Sequence, residues 1–400
     1  MIENRWILPE GVDELLPSEA ASLEHLRRKI TDLYVSWGYE LIVPPFIEYL
    51  ESLLTGTGRE SDLQTFKLVD QLNGRTIGVR ADMTPQIARI EAHRLKREGV
   101  SRLFYMGTTL RTLSDGLFGS RSPMQLGAEL YGHAGAGSDA EIISLMLATL
   151  ECCGAETVYL DLGHVGIFRG LAHEAGLSEA EETALFDMYQ RKSVPELDAF
   201  IGEHVSGRDM AQRLRGLVSL SGDESVLAEA AALLEGASAE VRGALDDLRE
   251  ISTQLRARHA DIRIHYDLSE LRGYTYHTGV VFAAYLDGSG QEVARGGRYD
   301  DVSACFGRSR PATGFSTDLK VLNELACSAA GADHNPRREA ILVTDTSHPG
   351  VWQEISRLRS AGETVACALS EAVPETDTLV FTRRLVLKDG TWKTEEYNHG

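Results

Sequence analysis

Arg-Gly-Tyr-Thr-Tyr-His-Thr-Gly, residues 272–279, packs an arginine and three rings into six positions, and Gly-Gly-Arg-Tyr-Asp follows at 296–300. The arginine offers a planar fork suited to a carboxylate or a phosphate. Read as an extended strand, the first stretch turns Tyr276 and His277 to opposite faces. Further polar residues stand at the ends of strand-like runs upstream: Asp82 and Thr84, Arg111, then Gln125 and Glu129. Gln125 and Glu129 both lie in Met-Gln-Leu-Gly-Ala-Glu-Leu-Tyr-Gly, 124–132, and their spacing puts them on one face of a strand. Two carboxylates and a glutamine suit an ammonium and hydrogen-bond donors. With the arginine added, the set suits a small zwitterion such as an amino acid. A structural Arg–Glu ion pair explains the same spacing, and Gly-Gly before Arg298 fits a tight turn. For Arg298 and Asp300, stabilising a turn is as good a reading as touching a ligand. Tyr274 and Tyr299 read as aromatics at the edge of a core.

Around these stretches the pattern is mixed. Leu23, Leu26, Ile30, Leu33 and Trp37 recur at helical steps over residues 18–37. Strand-like runs follow at 39–46, 66–71 and 75–82, the last two separated by Leu72-Asn73-Gly74, a hairpin signal whose turn residues favour positive φ. Thr84-Pro85 predicts a helix start with Thr84 as N-cap. Ser138 with Glu141, and Ser178 with Glu181, have the spacing of capping boxes. Residues 171–262 are rich in Ala, Leu and Glu and predict a helical insertion. Strand character returns at 262–268, 278–286 and 290–297. The tail reads strand, helix, strand, strand, then a hairpin at Asp389-Gly390.

Composition narrows the function classes. The 400 residues carry 60 acidic and 40 basic side chains, a formal charge of −20. Such a chain has no general attraction for phosphate backbones or anionic lipid, so neither nucleic acid nor membrane is expected as a partner. The most apolar run, Ile142–Leu150, falls well short of the ~20 residues of a spanning helix. The N-terminal stretch has acids and prolines where an export signal has a positive end and an apolar core. Five scattered cysteines without a Cys-x-x-Cys pair argue against a disulfide framework and a structural zinc site. The expectation is a reducing, cytoplasmic setting, with no metal and no cofactor. Glycine-rich nucleotide loops and metalloprotease or hydrolase signatures are absent.

The motifs together resemble the histidyl-tRNA synthetases over residues 5–325. Arg272–Gly279 resembles that family's signature R-G-L-D-Y-Y-T-G, and 296–300 its second signature. Residues 79–89, VRADMTPQIAR, resemble the stretch L-R-P-E-G-T, and Arg111–Glu129 resembles motif 2 of the class II enzymes. The resemblance implies an α+β fold: a class II aminoacyl-tRNA synthetase-like antiparallel sheet flanked by helices, with the helical insertion. It implies a core at 1–325, a linker at 326–336 and a small C-terminal α/β domain at 337–400. It also implies that Asp82, Thr84, Arg111, Gln125, Glu129, Arg272, Tyr276 and His277 bind histidine. Asp82 replaces the family's glutamate and His277 its tyrosine.

The departures bear on activity. Leu113 stands at the motif 2 glutamate, Ser114 and Gly119 where arginines are expected, and Val321 at the motif 3 arginine that holds the ATP phosphates. A valine donates nothing to a triphosphate, and uncompensated phosphate charge impairs adenylate formation. A preserved amino-acid pocket beside a dismantled ATP site, with a short tail, is similar to a family of non-catalytic synthetase paralogues: the regulatory subunits of ATP phosphoribosyltransferase. That similarity implies self-dimers and assembly with a short-form catalytic subunit into a hetero-octamer. It implies that the chain activates the catalytic subunit, carries no catalytic residues itself, and mediates feedback by histidine. An active histidyl-tRNA synthetase is the alternative.

Overall fold

The structure, a computed structural model, describes residues 6–56, 59–114, 119–288, 290–329, 337–369 and 373–397. The chain divides into two compact units, 1–13 with 28–326, and 14–27 with 327–400. Most of the expected linker, 330–336, lies outside the described residues, as does 115–118 of the motif 2 segment.

The first unit holds strands β1 Glu40–Leu41, β2 Ile47–Tyr49, β3 Phe66–Val69, β4 Thr76–Val79, β5 Ser101–Thr108, β6 Met124–Tyr131, β7 Val158–His164, β8 Ser221–Gly222, β9 Arg263–Asp267, β10 Val280–Leu286, β11 Ala294–Arg298 and β12 Ala312–Asp318. Nine of them form one sheet in the order β1-β5-β6-β12-β11-β10-β7-β9-β8, and β2-β4-β3 form a small separate sheet. The centre, from β5 to β7, is antiparallel throughout. β6 is buried along nearly its whole length, with Leu126, Ala128 and Leu130 on one face and Gln125 and Glu129 buried on the other. On one face, Phe104 and Phe315 pack around Tyr34, whose ring lies 5.2 Å and 6.4 Å from theirs. The helices Ala136–Cys152 and Ala239–Arg258 pack on each other and on the sheet. On the other face a cluster of Met83, Ile87, Leu103, Tyr105, Tyr131 and Tyr299 carries the helix Thr84–Ile90. Five helices, from Glu179–Gln190 to Ala239–Arg258, fill the segment expected as an insertion, and the Ser178–Glu181 capping box is present.

Several local expectations change. β12 was not expected as a strand; its Ala-Thr-Gly-Phe-Ser-Thr-Asp has weak alternation but completes the sheet beside β6. The turn before β4 is longer than a two-residue hairpin, and only Gly74 in it has positive φ. Asn73 instead uses its side chain to accept from Arg75 N at 2.9 Å. Met83 is the N-cap of the helix at Thr84, and the Asp82 carboxylate accepts the Thr84 amide at 3.0 Å. Ser138 lies inside its helix, which Gly135 caps, and Glu141 pairs with Arg102 instead of closing a capping box.

The second unit contains β13 Arg338–Val343, β14 Val365–Cys367, β15 Leu379–Lys388 and β16 Thr391–Glu396 in the order β14-β13-β15-β16. The helix Val351–Ser360 places Val351, Ile355 and Leu358 with Ile341, Val343 and Leu385 in one core. Asp389 and Gly390 both take positive φ, as a tight hairpin between β15 and β16 requires.

Arg298 ties β11 to the helix Ala136–Cys152. Its guanidinium is buried and donates to Asp139 at 2.8 Å and 3.2 Å, to Ser138 Oγ at 2.9 Å and to the His133 and Gly135 carbonyls. Removing one member of a buried pair leaves an uncompensated charge. Asp139→Ala is therefore expected to lower stability by about 3–5 kcal/mol in denaturant melts. The double variant Arg298→Met/Asp139→Leu is expected to recover most of that loss.

Candidate functional site

A cavity of about 460 Å³ opens on the Tyr105–Tyr299 face of the sheet. All eight residues singled out in the sequence line it. Its floor is β6, where Gln125 and Glu129 share a face as strand periodicity requires. The Gln125 amide is fixed from both ends: its oxygen accepts Met83 N at 2.9 Å and its nitrogen donates to Asp82 at 2.6 Å. Asp82 and Thr84 thus reach the floor from the start of the helix Thr84–Ile90. Glu129 is 1% exposed, and its neighbour across β12 is Gly314, where a Cβ would collide with the carboxylate. Tyr105 donates to Oε1 at 2.9 Å and Tyr299 to Oε2. Burial pushes the Glu129 carboxyl up to about 8, with Asp82 adding to the rise; the two tyrosine hydroxyls pull the other way.

The wall opposite comes from the 272–279 stretch, which is a turn rather than a strand. Tyr276 N and His277 N both donate to the Gly273 carbonyl, at 2.7 Å and 2.8 Å. Gly273 has φ +65°, and a Cβ there would stand 2.7 Å from the His277 ring. This turn brings Tyr276 and His277 to the same cavity, with ring centres 5.3 Å apart. The Tyr276 hydroxyl and His277 Nδ1 are buried with no partner within the protein. Burial lowers the His277 pKa to about 4, so its imidazole is neutral at pH 7.

The two arginines occupy different places. Arg111 is half-buried, its backbone bridged to Thr65 and its Nε 3.4 Å from the Ala81 carbonyl. Arg272 is exposed at the rim, paired with Glu270 at 3.0 Å and with Glu292. Leu113, Ser114, Gly119 and Val321 are not among the lining residues, and Leu113 is largely exposed.

Tyr299 and Tyr105 are the residues that reasoning from the sequence undervalued. Alternation along 296–300 turns Tyr299 away from Arg298, so the arginine serves the helix Ala136–Cys152 while the tyrosine serves the cavity. Tyr274 packs on Phe186 and Phe168, away from the lining. Among the described residues no cluster of His, Cys, Asp and Glu is arranged to hold a metal ion, and no helix is long and apolar enough to cross a membrane.

Lined by Asp82, Gln125, Glu129 and the Tyr276 hydroxyl together with Arg111 and Arg272, the cavity offers groups for both an ammonium and a carboxylate. Comparison with known proteins bears on the ligand. The histidyl-tRNA synthetase family profile matches residues 11–322, and that of the ATP phosphoribosyltransferase subunit HisZ C-terminal domain matches 338–395. A protein of Thioalkalivibrio sulfidiphilus described as an ATP phosphoribosyltransferase regulatory subunit is 56% identical over 367 residues, 92% of each chain. One of Pseudomonas putida with the same description is 51% identical over 98% of each chain. The crystal structure of an ATP phosphoribosyltransferase regulatory subunit/histidyl-tRNA synthetase from Bacillus halodurans superposes with a TM-score of 0.79 at 28% identity, covering 93% of this chain and 95% of that one. Histidyl-tRNA synthetase from Nostoc shares the fold, with a TM-score of 0.74 at 18% identity over 98% of this chain and 97% of that one.

The Glu129 proton links stability to pH. A glutamate with the ordinary value of 4.5 is ionised when unfolded, whereas the folded protein holds this proton up to about 8. The stabilisation is complete below about 4.5 and is lost as pH rises through 8. Glu129→Gln removes the titration and keeps the shape. Its melting temperature relative to wild type is expected to be clearly higher at about pH 8.5 than at about pH 5. Parallel melting curves at both pH values would contradict the raised carboxyl.

Proposed function

Because the chain belongs to the family of ATP phosphoribosyltransferase regulatory subunits, we propose that it is the non-catalytic partner of a short-form catalytic subunit and that its cavity is the histidine sensor. The convergence of Asp82, Thr84, Arg111, Gln125, Glu129, Arg272, Tyr276 and His277 on one cavity carries the second half of that reading. The volume of about 460 Å³ falls within the range of small-ligand sites. Asp82, with Thr84 and Gln125 beside it, suits the ammonium of histidine. Glu129 suits a ring N–H, and the unpartnered Tyr276 hydroxyl lies ready for the ring's second polar edge. Arg111 and Arg272 supply positive charge for the carboxylate.

Regulation then follows from linkage. Histidine alters catalysis only by binding one quaternary state of the complex more tightly than another, and the catalytic subunit must alter histidine affinity by the same factor. Regulatory dimers joined to catalytic dimers in a hetero-octamer give a symmetric frame for such a change. In this reading the chain raises the turnover of the catalytic subunit and returns it to a low state when histidine is abundant. The setting is cytoplasmic, in keeping with five free cysteines.

Calorimetry with histidine, with and without the catalytic subunit, tests this. Wild type is expected to bind, and Glu129→Ala to bind at least about tenfold more weakly while assembly stays intact. Histidine-dependent exchange between ATP and pyrophosphate separates the alternative of an active histidyl-tRNA synthetase. None is expected from a chain with Leu113 and Val321 in place of an acid and an arginine, and robust exchange would overturn the regulatory reading. Mixing with the short catalytic subunit is expected to raise its turnover.

A further inference from the structure

Three carbonyls of the 272–279 turn are held by one helix, Val165–Glu174, which starts where β7 ends. The Val165 amide donates to the Gly279 carbonyl at 3.0 Å. One helical turn later Arg169 reaches the same segment. Its Nη2 donates to the Tyr274 carbonyl at 3.0 Å and to the His277 carbonyl at 3.2 Å. The guanidinium also lies over the Tyr274 ring, 5.0 Å from its centre. That ring is wedged between Phe168, edge-on at 5.3 Å, and Phe186 of the helix Glu179–Gln190, stacked at 5.2 Å. Tyr274 therefore anchors the turn on the side away from the cavity, and Arg169 clamps its backbone. Arg169 itself is not among the residues lining the cavity.

The clamp bears on what the cavity presents. Tyr276 and His277 both donate their amides to the Gly273 carbonyl, and Arg169 holds the carbonyls of Tyr274 and His277, on either side of Tyr276. The turn carries the Tyr276 hydroxyl and His277 Nδ1, the two buried polar atoms without a partner in the protein. It stands at the surface, with Arg272, Gly273 and Thr275 exposed. Surface backbone opens readily unless it is held, and a charged donor on two carbonyls is a strong restraint. We propose that Arg169 is a positioning residue: it does not touch the ligand, and it sets ligand affinity by keeping the 272–279 turn in the shape that brings Tyr276 and His277 to the cavity. The proposal rests on the reading of the cavity as a histidine site. A site whose competent shape is only partly populated binds more weakly in proportion. A turn that keeps this shape about one-tenth of the time raises the apparent Kd about tenfold.

The test uses the full chain, with L-histidine as the probe in calorimetry and amide hydrogen exchange followed over 272–279. Arg169→Met keeps the apolar stem and removes the donors. It is expected to weaken histidine about tenfold and to speed exchange in 272–279, while β10 exchanges as in wild type. Arg169→Lys is the rescue. One nitrogen serves both carbonyls, so an ammonium can take its place. This variant is expected to bind within about threefold of wild type. A purely structural role would leave the Lys and Met variants alike, or speed exchange throughout the sheet, and either result overturns the proposal. Wild-type affinity in the Met variant overturns it as well. If the Met variant does not fold, Tyr274→Leu carries the test: it removes the ring beneath the guanidinium, leaves both carbonyls, and is expected to weaken histidine and speed exchange in the same segment. Failure of wild type to bind histidine removes the histidine reading, and the exchange comparison then still decides whether Arg169 holds the turn.

Discussion

One buried carboxylate organises the centre of this protein. Glu129 sits in the most enclosed strand of the sheet, where an unsupported charge is strongly disfavoured. The surrounding sequence answers that constraint. Two tyrosines from β5 and from the residue after β11 donate to it, and glycines at 127 and 314 clear the space the tyrosine hydroxyl and the carboxylate occupy. Glycine ordinarily weakens a strand. Here its absence of a side chain is what admits a polar group between strands.

The same contrast runs through the 296–300 stretch. Arg298 and Tyr299 are neighbours in sequence and serve opposite faces of the sheet. The arginine closes a buried ion pair with Asp139 that holds a helix, and the tyrosine reaches the cavity. Gly296 and Gly297 allow this crowding, since a Cβ at Gly297 would stand 2.8 Å from His277 Nδ1. The glycines therefore do more than make a turn: they let the second signature lie flat against the first.

What could be read before folding was local. Strand periodicity placed Gln125 and Glu129 on one face, the helical insertion declared itself by composition, and Asp389-Gly390 announced its hairpin. The eight cavity residues came from resemblance, because their partners are far apart in the chain: Asp82 meets Gln125, and Glu129 meets Tyr299, through the register of β6, β12 and β11. No spacing rule reaches that far. The reading of Tyr276 and His277 as opposite-facing failed for a single backbone reason, the left-handed Gly273, which turns the segment before β10 begins. β12 escaped notice because its glycine and small residues serve Glu129 rather than a hydrophobic alternation.

The aromatic residues are also divided by type. Tyr276 and Tyr299 line the cavity with Tyr105 and Tyr131 behind them, while none of the four tryptophans is among the lining residues. Trp6 and Trp352 are largely exposed, and Trp37 and Trp392 are half-buried. The two chromophores therefore report on different places. None of the four indoles lines the cavity, whereas the near-ultraviolet absorbance of Tyr105 and Tyr299 senses the polarity and hydrogen bonding around Glu129. An occupied cavity is therefore first a spectroscopic event for the phenols that touch Glu129.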